Sequence, residues 1–499
     1  MISILLIITP FISAIGLLFL KKEHANYGAF IFSIPNLILA IVAAILHVQN
    51  TNHDLLSTDF IWIPDLNIHF KVGIDGINIA LLLLTNLLTP LIILSTFSTI
   101  QNQNKALYML ILSMHAALNG VFMAMDMFLY YVCWEAALIP IYFILFRWGG
   151  ENKEKITIKF FLYTLVGSLF MLAGIILLYI KTGSNGFGIE IFYTTMISEN
   201  SQKIIFILLF AAYAVKIPIF PFHSWQPETY TQAPTVGTML LSGIMLKMGL
   251  YSIIRWLIPI TPIAISDWGD YAMILCLIGV LYGGIIAIKQ KHIKTLLAYS
   301  SLSHVGLIAL GLFSLSIQGI QGALIQMVSH GINVVGLFLI ADSIQRRTGT
   351  YALDQLGGIR QKSPFLATTC LIIVLGSIGL PLTNGFVGEF LILLGIYPYY
   401  TWIAVLGSLT IVLGAVYMLR LYQKIFLDSL TNNTEHFSPL HWSEKTILGI
   451  ITILVIIIGV YPDLLLQLTN TKEIEEIKEL INRALPDYRR IIYYHIMLH

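Results

Sequence analysis

The chain has 499 residues, of which 57% are hydrophobic and only 11% are charged. Soluble domains carry about 25% charged residues, so this composition excludes an ordinary soluble protein. A net charge of +2 without a basic patch gives no indication of a nucleic-acid partner. A mean hydropathy of +0.83 indicates a polytopic membrane protein.

The cysteine pattern and the known nucleotide motifs add little. Cys133, Cys276 and Cys370 lie far apart inside apolar runs, which favours neither a metal or iron–sulfur cluster nor a disulfide framework. The sequence has no P-loop and no glycine-rich dinucleotide motif after a strand, so it predicts no nucleotide site. Because the first residues lack a basic stretch, residues 2–20 are interpreted as a first transmembrane helix and not as a cleaved signal peptide.

Apolar runs long enough to cross a bilayer, about 20 residues each, define the predicted elements. In chain order the fourteen predicted segments cover approximately 2–20, 28–47, 77–99, 106–123, 126–146, 157–180, 204–221, 232–257, 271–288, 294–313, 317–343, 365–395, 400–424 and 446–467. The sequence therefore predicts an all-α polytopic membrane protein with about 14 transmembrane helices.

Basic residues in the loops predict the orientation of these segments. Of the 28 Lys and Arg residues, 17 lie in loops that follow odd-numbered segments and four in loops that follow even-numbered segments. Cytoplasmic loops are enriched in Lys and Arg, so the odd-numbered loops are predicted to face the cytoplasm or its organellar equivalent. Both termini are then predicted on the outer face.

Two sets of five segments, 4–8 and 9–13, have similar lengths, and each contains one interrupted segment. Segment 7 carries Lys216-Ile-Pro-Ile-Phe-Pro, and segment 12 carries Leu380-Pro-Leu-Thr-Asn-Gly-Phe. Broken helices at corresponding places in two halves indicate a transport site, and an odd number of helices per half requires inverted repeats. The predicted units are 1–105 (three helices), 106–258 (first repeat), 259–425 (second, inverted repeat), 426–467 (segment 14) and 468–499 (an amphipathic tail).

The tail carries an apolar stripe at helical spacing, formed by Ile474, Ile477, Ile481 and Leu485. Packing against a neighbouring subunit and packing on the membrane surface both agree with this stripe.

Six ionisable residues lie near the middle of apolar segments, where a charge costs about 2.5–3.5 kcal/mol on insertion scales. They are Glu135, Lys216, Lys247, His304, His330 and Glu389. Six such residues of mixed sign in six segments indicate a route for protons or ions. A purely structural scaffold would tolerate apolar residues at these positions.

Glu135 and Lys216 form the first predicted pair. Burial disfavours a charged group, and an opposing carboxylate offsets that cost for a lysine. If the pair opens and closes, the lysine alternately holds and releases a proton. The structural alternative is a static ion pair, which is weak evidence for stability.

The remaining four residues are predicted to continue the route. Lys247 has no acidic residue in the rest of its segment and is a candidate proton carrier. His304 and His330, each flanked by serine on consecutive segments, fit a hydrogen-bonded relay. Glu389 follows the break in segment 12 and is the candidate terminal carboxylate.

Two further histidines are left with open or structural interpretations. His223, just past segment 7, is either a proton-uptake group or a loop-packing residue. His115 lies in the middle of segment 4, where a core role is favoured.

The motifs together resemble the antiporter-like subunits of respiratory complex I, the proton-pumping NADH:quinone oxidoreductase. The matching stretches are Gly73-Ile-Asp-Gly-Ile, Trp134-Glu-Ala-Ala-Leu-Ile-Pro, Val215-Lys-Ile-Pro-Ile-Phe-Pro-Phe-His-Ser-Trp, Ala233-Pro-Thr-Val-Gly, Lys247, Lys294-Thr-Leu-Leu-Ala-Tyr-Ser-Ser-Leu-Ser-His and Gly385-Phe-Val-Gly-Glu-Phe. They cover about residues 70–425. The resemblance implies fourteen core helices with inverted five-helix repeats.

The resemblance also implies roles for the six residues. Glu135 and Lys216 would be the switching pair and Lys247 the central carrier, with His304 and His330 linking the halves and Glu389 exchanging the proton at the end. Glu at position 389, and a chain too short for a long lateral helix, favour the M-type (subunit 4) members over the L- and N-types.

The implied partners are the other membrane-arm subunits of complex I, especially the L- and N-type subunits, and the lipid bilayer. No redox centre or other cofactor is expected in this chain, because NADH, FMN, iron–sulfur clusters and quinone belong to partner subunits. A bacterial inner membrane is favoured over an organellar one. The alternative function is that of a subunit of a multi-subunit cation/proton antiporter.

Overall fold

The computed structural model describes residues 1–49, 53–98, 104–469 and 471–484 and is dominated by long apolar helices. Twelve helices in these ranges are long and apolar enough to cross a membrane. They are α1 (Ile2–Gly16, extended by a 3₁₀ turn to Phe19), α2 (Ala25–Val48), α3 (Ile79–Ser95), α4 (Lys105–Met123), α5 (Met127–Trp148), α6 (Lys153–Lys181), α8 (Thr235–Ile260), α9 (Pro262–Lys289), α10 (Ile293–Phe313), α11 (Ile317–Thr348), α13 (Thr401–Tyr422) and α14 (Trp442–Val460). The predicted all-α membrane fold is confirmed.

The two remaining predicted segments are the interrupted ones. Helix α7 (Glu199–Lys216) ends at the lysine itself, because a proline at 218 restricts the preceding residue and lacks an N–H. Segment 12 forms two shorter helices, α12a (Pro364–Ile378) and α12b (Asn384–Ile396), separated by a turn that begins at a left-handed Gly379. The count of fourteen and the inverted relation of the repeats stay predictions.

Irregular chain between the helices contains elements that the apolar runs did not indicate. Strands β1 (Ser57–Ile63) and β2 (Ile68–Gly73) form an antiparallel hairpin between α2 and α3. Short helices cover His53–Leu56, Ile189–Thr194, Trp225–Gln232, Ile359–Lys362 and Asp463–Leu466.

Contacts between loops sort into two groups that correspond to the two predicted faces. Loops after even-numbered segments contact one another, as in the backbone bridges of Val72 with Ala124 and Asp126 with Gly188. Loops after odd-numbered segments do the same, as in the bridge of His292 with Ala352. We call these the even face and the odd face; which of them lies outside the cell stays a prediction.

Helices α8 and α11 form the centre of the bundle, since the central stretch of each is entirely buried. Helix α8 contains two wide π turns, Leu241–Met245 and Ile253–Leu257, on either side of Lys247. Such turns release backbone carbonyls from the ordinary helix pattern and occur often at functional sites.

The C-terminal helix α15 (Thr471–Ala484) packs on this chain itself. Ile474 and Ile477 are buried against the end of α8 and the even-face ends of α9 and α11. Leu485, the side chain of Ile481 and the rest of the tail lie outside the described residues. The apolar stripe is therefore at least partly covered within the chain, which neither of the two sequence interpretations included.

Candidate functional site

Lys247 occupies the centre of the bundle with no solvent exposure and binds two acceptors. Its Nζ donates to the Ser242 carbonyl oxygen at 2.7 Å and lies 2.9 Å from Nδ1 of His330. The wide turn of α8 brings the Ser242 carbonyl to the ammonium. Lys247, which has no carboxylate partner, is thus held by the Ser242 carbonyl of its own helix and by the His330 ring of α11.

Two glycines allow this contact, because they bring α8 and α11 unusually close. A Cβ on Gly243 would lie 2.7 Å from the Val335 side chain, and a Cβ on Gly331 would lie 2.8 Å from the Gly243 carbonyl oxygen. Both distances are below any ordinary contact, so larger residues would force the helices apart.

His330 connects Lys247 to the next polar group. When Lys247 is protonated it can only donate, so Nδ1 of a neutral His330 then accepts and the ring proton lies on Nε2, 3.1 Å from the Ser301 hydroxyl. The two nitrogens of this ring thus contact two different polar groups.

His304 and Glu389 form the end of the row. Nδ1 and Nε2 of His304 lie 2.8 Å from the carbonyl oxygens of Ser300 and Ser377, respectively, and Nε2 lies 3.6 Å from Oε1 of Glu389. The same Oε1 accepts a hydrogen bond from Nε2 of Gln326 at 3.0 Å. Glu389 is 1% exposed, so its carboxyl group is shielded from solvent and lies near His304.

A small cavity bridges the two histidines, whose ring centroids lie 6.2 Å apart. The cavity has a volume of about 20 Å³ and is lined by Ser300, Ser301, His304, His330 and Ser377 among others. One water needs roughly 10–15 Å³ and two to four polar partners, so this cavity has the size and the lining for a bridging water.

Glu135 and Lys216 lie near each other but do not form an ion pair. The Lys216 Nζ lies 5.1 Å from the centre of the Trp134 ring, within electrostatic range of Glu135. Among the described residues, neither this Nζ nor Oε1 of Glu135 has a hydrogen-bond partner. A static ion pair is therefore not what the structure contains.

The structure joins four of the six predicted residues and leaves two apart. Lys247, His330, His304 and Glu389 form a nearly continuous row. Within the part of the chain that the structure describes, no hydrogen bond connects Lys216 to Lys247, although α7 packs on α8.

Amide side chains that the sequence interpretation missed support this row. Gln326 holds Glu389, and Asn333 exchanges two 3.1 Å hydrogen bonds with Asn384, the first residue of α12b. Gln326 and Asn333 lie four residues before and three after His330, and this helical spacing was the signal that could have identified them.

The two histidines with open interpretations lie outside the row. Nε2 of His115 lies 2.7 Å from Oδ1 of Asn86, in a buried cluster that also includes Asn119. His223 packs against the rings of Phe220 and Tyr282, as the loop-packing interpretation requires. In the described ranges, no group of three or more His, Cys, Asp or Glu residues has the arrangement of a metal site.

The family model described as "NADH:quinone oxidoreductase/Mrp antiporter, TM" matches residues 124–414 of the chain, which contain all six residues. The chain belongs to this family. A relative named NADH-quinone oxidoreductase subunit M, from Rickettsia typhi, is 37% identical over 477 residues, covering 92% of this chain and 96% of the relative. NADH-ubiquinone oxidoreductase chain 4 of Marchantia polymorpha is 37% identical over 412 residues, covering 82% and 83%.

Two solved structures have the same fold as this chain. A chain of respiratory complex I from Thermus thermophilus matches with a TM-score of 0.88 and 30% identity, over 96% of this chain and 100% of that one. A chain of the Mrp complex from Dietzia sp. DQ12-45-1b matches with a TM-score of 0.80 over 99% of both chains, but at 17% identity this shows the fold alone. The names of the relatives confirm the M-type (subunit 4) assignment made from Glu389 and the chain length.

Proposed function

We propose that the chain is a proton-translocating membrane-arm subunit of an NADH:quinone oxidoreductase and that it moves protons along the buried row. The observation that carries this proposal is the contact of the Lys247 Nζ with His330 Nδ1 at 2.9 Å, at the fully buried crossing of α8 and α11. A lysine without a carboxylate partner, beside an imidazole acceptor, is arranged to pass a proton on and not to neutralise a charge.

The geometry supports one order of transfer. Separation of Glu135 from Lys216 destabilises a proton on Lys216, and the released proton reaches Lys247 across the interface of α7 and α8. Lys247 passes a proton to Nδ1 of His330, and Nε2 of His330 releases one to Ser301. A water in the cavity carries the proton to His304. Glu389, which lies 3.6 Å from His304, then receives it.

The driving force comes from quinone reduction elsewhere in the complex. In this proposal the chain holds no redox centre; NADH, FMN, iron–sulfur clusters and quinone bind partner subunits, so the chain belongs to a translocase without carrying out the electron transfer. The L- and N-type antiporter-like subunits are the proposed neighbours. The proposed location is a bacterial inner membrane, with both termini on the outer face.

The test uses the assembled complex reconstituted into liposomes. Lys247→Ala and Glu135→Ala are expected to reduce NADH-driven acidification at least tenfold and to slow the coupled oxidation of NADH. Lys203→Ala is the matched control, because Lys203 pairs with Glu199 and Asp267 at the even face, outside the row. Normal rates of NADH oxidation and a normal proton stoichiometry in both Lys247→Ala and Glu135→Ala would refute the proposal.

The fold shared with a chain of the Mrp complex supports one alternative function, which the same liposome assay tests. A cation/proton antiporter subunit would exchange sodium for protons without NADH. Sodium-dependent proton movement by the isolated complex, absent from Lys247→Ala, would favour that function over redox-driven pumping.

A further inference from the structure

A cluster of charged and aromatic residues lies at the end of α8 nearest the even face. Arg255 follows Lys247 by eight residues, about 12 Å along the helix. The arginine is 4% exposed, and its Nη2 lies 2.6 Å from both carboxylate oxygens of Asp75. Its Nε donates to the Tyr251 hydroxyl at 3.0 Å. Together with Tyr193 these residues form what we call the even-face cluster (Asp75, Tyr193, Tyr251 and Arg255).

Backbone contacts lock the cluster in place. Oδ1 of Asp75 also accepts the N–H groups of Ile77 and Asn78 at 3.0 and 3.2 Å, at the start of α3. The Tyr193 hydroxyl, from the short helix Ile189–Thr194, donates to the Arg255 carbonyl oxygen at 2.6 Å. Asp75 thus fixes the guanidinium, and Tyr193 fixes the backbone of Arg255.

Aromatic rings of α4 and α5 pack on α8 near Arg255. Tyr251 meets Phe122 of α4 edge-on at 5.5 Å, and Tyr130 of α5 packs on Trp256 at 5.4 Å. All four rings have no solvent exposure. The hydroxyl of Tyr130 is engaged with the Ser252 hydroxyl on the same helix.

A guanidinium is a poor member of a proton chain. It has five donors and no acceptor, and it does not lose its proton in proteins, so it cannot accept a proton from one side and release it to the other. The arginine also occupies both carboxylate oxygens of Asp75, so the nearest carboxylate is engaged and is not a free proton acceptor.

We propose that the even-face cluster is a proton barrier that separates Lys247 from the even face. Because of this barrier, a proton on Lys247 is transferred to His330 and not along α8 to the even face. This inference rests on the proposed function, in which Lys247 carries a transferred proton.

The other end of the row has the opposite hydrogen-bonding character. Glu389 presents a carboxyl group, which accepts a proton when it is ionised, and its Oε2 is buried without a hydrogen-bond partner in the described part of the chain. The α8 route toward the even face therefore ends at a donor-only cation that also engages its carboxylate partner, while the route through α12b ends at a carboxyl group. This difference assigns the direction of transfer to the residues at the two ends.

The test measures passive proton conductance of the whole complex in liposomes without NADH, with an internal pH dye and an imposed potential. Arg255→Gln removes the charge and keeps amide hydrogen bonding. The expected increase is about tenfold, because the Asp75 carboxylate loses its paired cation and becomes available to accept a proton. Arg255→Lys should keep conductance within about twofold of the native value.

The leak should also depend on Lys247. Adding Lys247→Ala to Arg255→Gln is expected to return conductance to baseline, and Lys203→Ala, which removes a different even-face cation, should leave it unchanged. Native conductance in an assembled Arg255→Gln complex would overturn the barrier. If that variant does not assemble, Arg255→Met takes its place with the same expectation. Failure of both to assemble, with rescue by Arg255→Lys, would make the role structural and would also overturn it.

This measurement separates the barrier from the proposed function. Passive conductance requires no redox turnover, so a failed leak test leaves the pumping result intact. Normal NADH-driven pumping by the Lys247→Ala complex would instead refute the proposed function, regardless of the passive conductance that is measured.

Discussion

The close approach of α8 and α11 at Gly243 and Gly331 predicts that a single methyl group will disconnect the row. In Gly331→Ala the new Cβ would lie 2.8 Å from the Gly243 carbonyl oxygen and from the Leu84 side chain. An ordinary contact begins at 3.4 Å, so the helices must separate by about 0.6 Å.

That separation is sufficient to break the central contact. The Lys247 Nζ lies 2.9 Å from His330 Nδ1, and a shift of about 0.6 Å extends it to about 3.5 Å, beyond an effective hydrogen bond. A hydrogen bond to a charged group contributes about 1.5–3 kcal/mol. Since about 1.4 kcal/mol is a factor of ten, transfer from Lys247 to His330 should slow roughly 10- to 150-fold.

The assay compares NADH-driven acidification by reconstituted complexes that carry Gly331→Ala or Gly449→Ala. Gly449 lies in α14, where an added Cβ meets nothing within 4 Å, so its variant should pump normally. Equal amounts of assembled complex, measured on native gels, remove expression differences. Native pumping by Gly331→Ala, with normal assembly, would refute the argument that this helix crossing sets the transfer distance.

Two further substitutions test the row and its surroundings. His330→Gln keeps a polar side chain beside Lys247 but cannot carry a proton, so acidification should fall at least tenfold; His115→Gln, at another buried histidine, should have little effect, and equal losses would contradict a specific role. Glu444→Gln, at 0% exposure, leaves two arginines of α11 without their shared carboxylate at 2.6–2.7 Å. Breaking a buried pair costs about 3–5 kcal/mol, and the partial exposure of the arginines places this one toward the lower end. The Glu444→Gln complex should therefore melt at a lower temperature. The control is Lys445→Gln, at the exposed residue next to Glu444, which should leave the melting temperature unchanged.

Apolar runs predicted the long helices well because a membrane span leaves few alternatives to a helix. The ends at prolines were less accurate. Segment 7 was expected to reach residue 221, but the proline at 218 ends α7 at Lys216. Segment 14 was expected to reach residue 467, but α14 ends at Val460, just before Pro462.

The β-hairpin was missed because apolar runs of about 20 residues indicate membrane helices and do not reveal short strands. In β2, Ile68, Phe70 and Val72 do alternate with His69 and Lys71, but β1 shows no such pattern. Most of β1 is exposed on both sides, including Phe60, Ile61 and Trp62, so polar and apolar residues do not alternate along it. The stripe on α15 was found, but an amphipathic pattern indicates only that one face is covered. Which surface covers it depends on residues distant in sequence.

The site residues could be found singly, because an ionisable residue in an apolar run is costly wherever its partner lies. Their partners could not be found in that way. Lys247 and His330 are 83 positions apart, and their contact depends on the crossing of two helices. The sequence paired Lys216 with Glu135, yet in the structure the lysine lies beside the Trp134 ring without an ion pair.

The row is nearly continuous in one half and interrupted in the other, and in the proposed function this asymmetry locates the step that needs energy. From Lys247 to His304 each group lies within hydrogen-bonding distance of the next or borders a cavity with room for a water. The last gap, from His304 to Glu389, is 3.6 Å, so transfer there requires only a small movement. Lys216 has no such connection in the described residues. A proton reaches Lys247 only if Lys216 or its surroundings move, and charge rearrangement in a neighbouring subunit would act most effectively on that unpaired lysine. Coupling therefore belongs at the Glu135–Lys216 end, while the remaining row conducts.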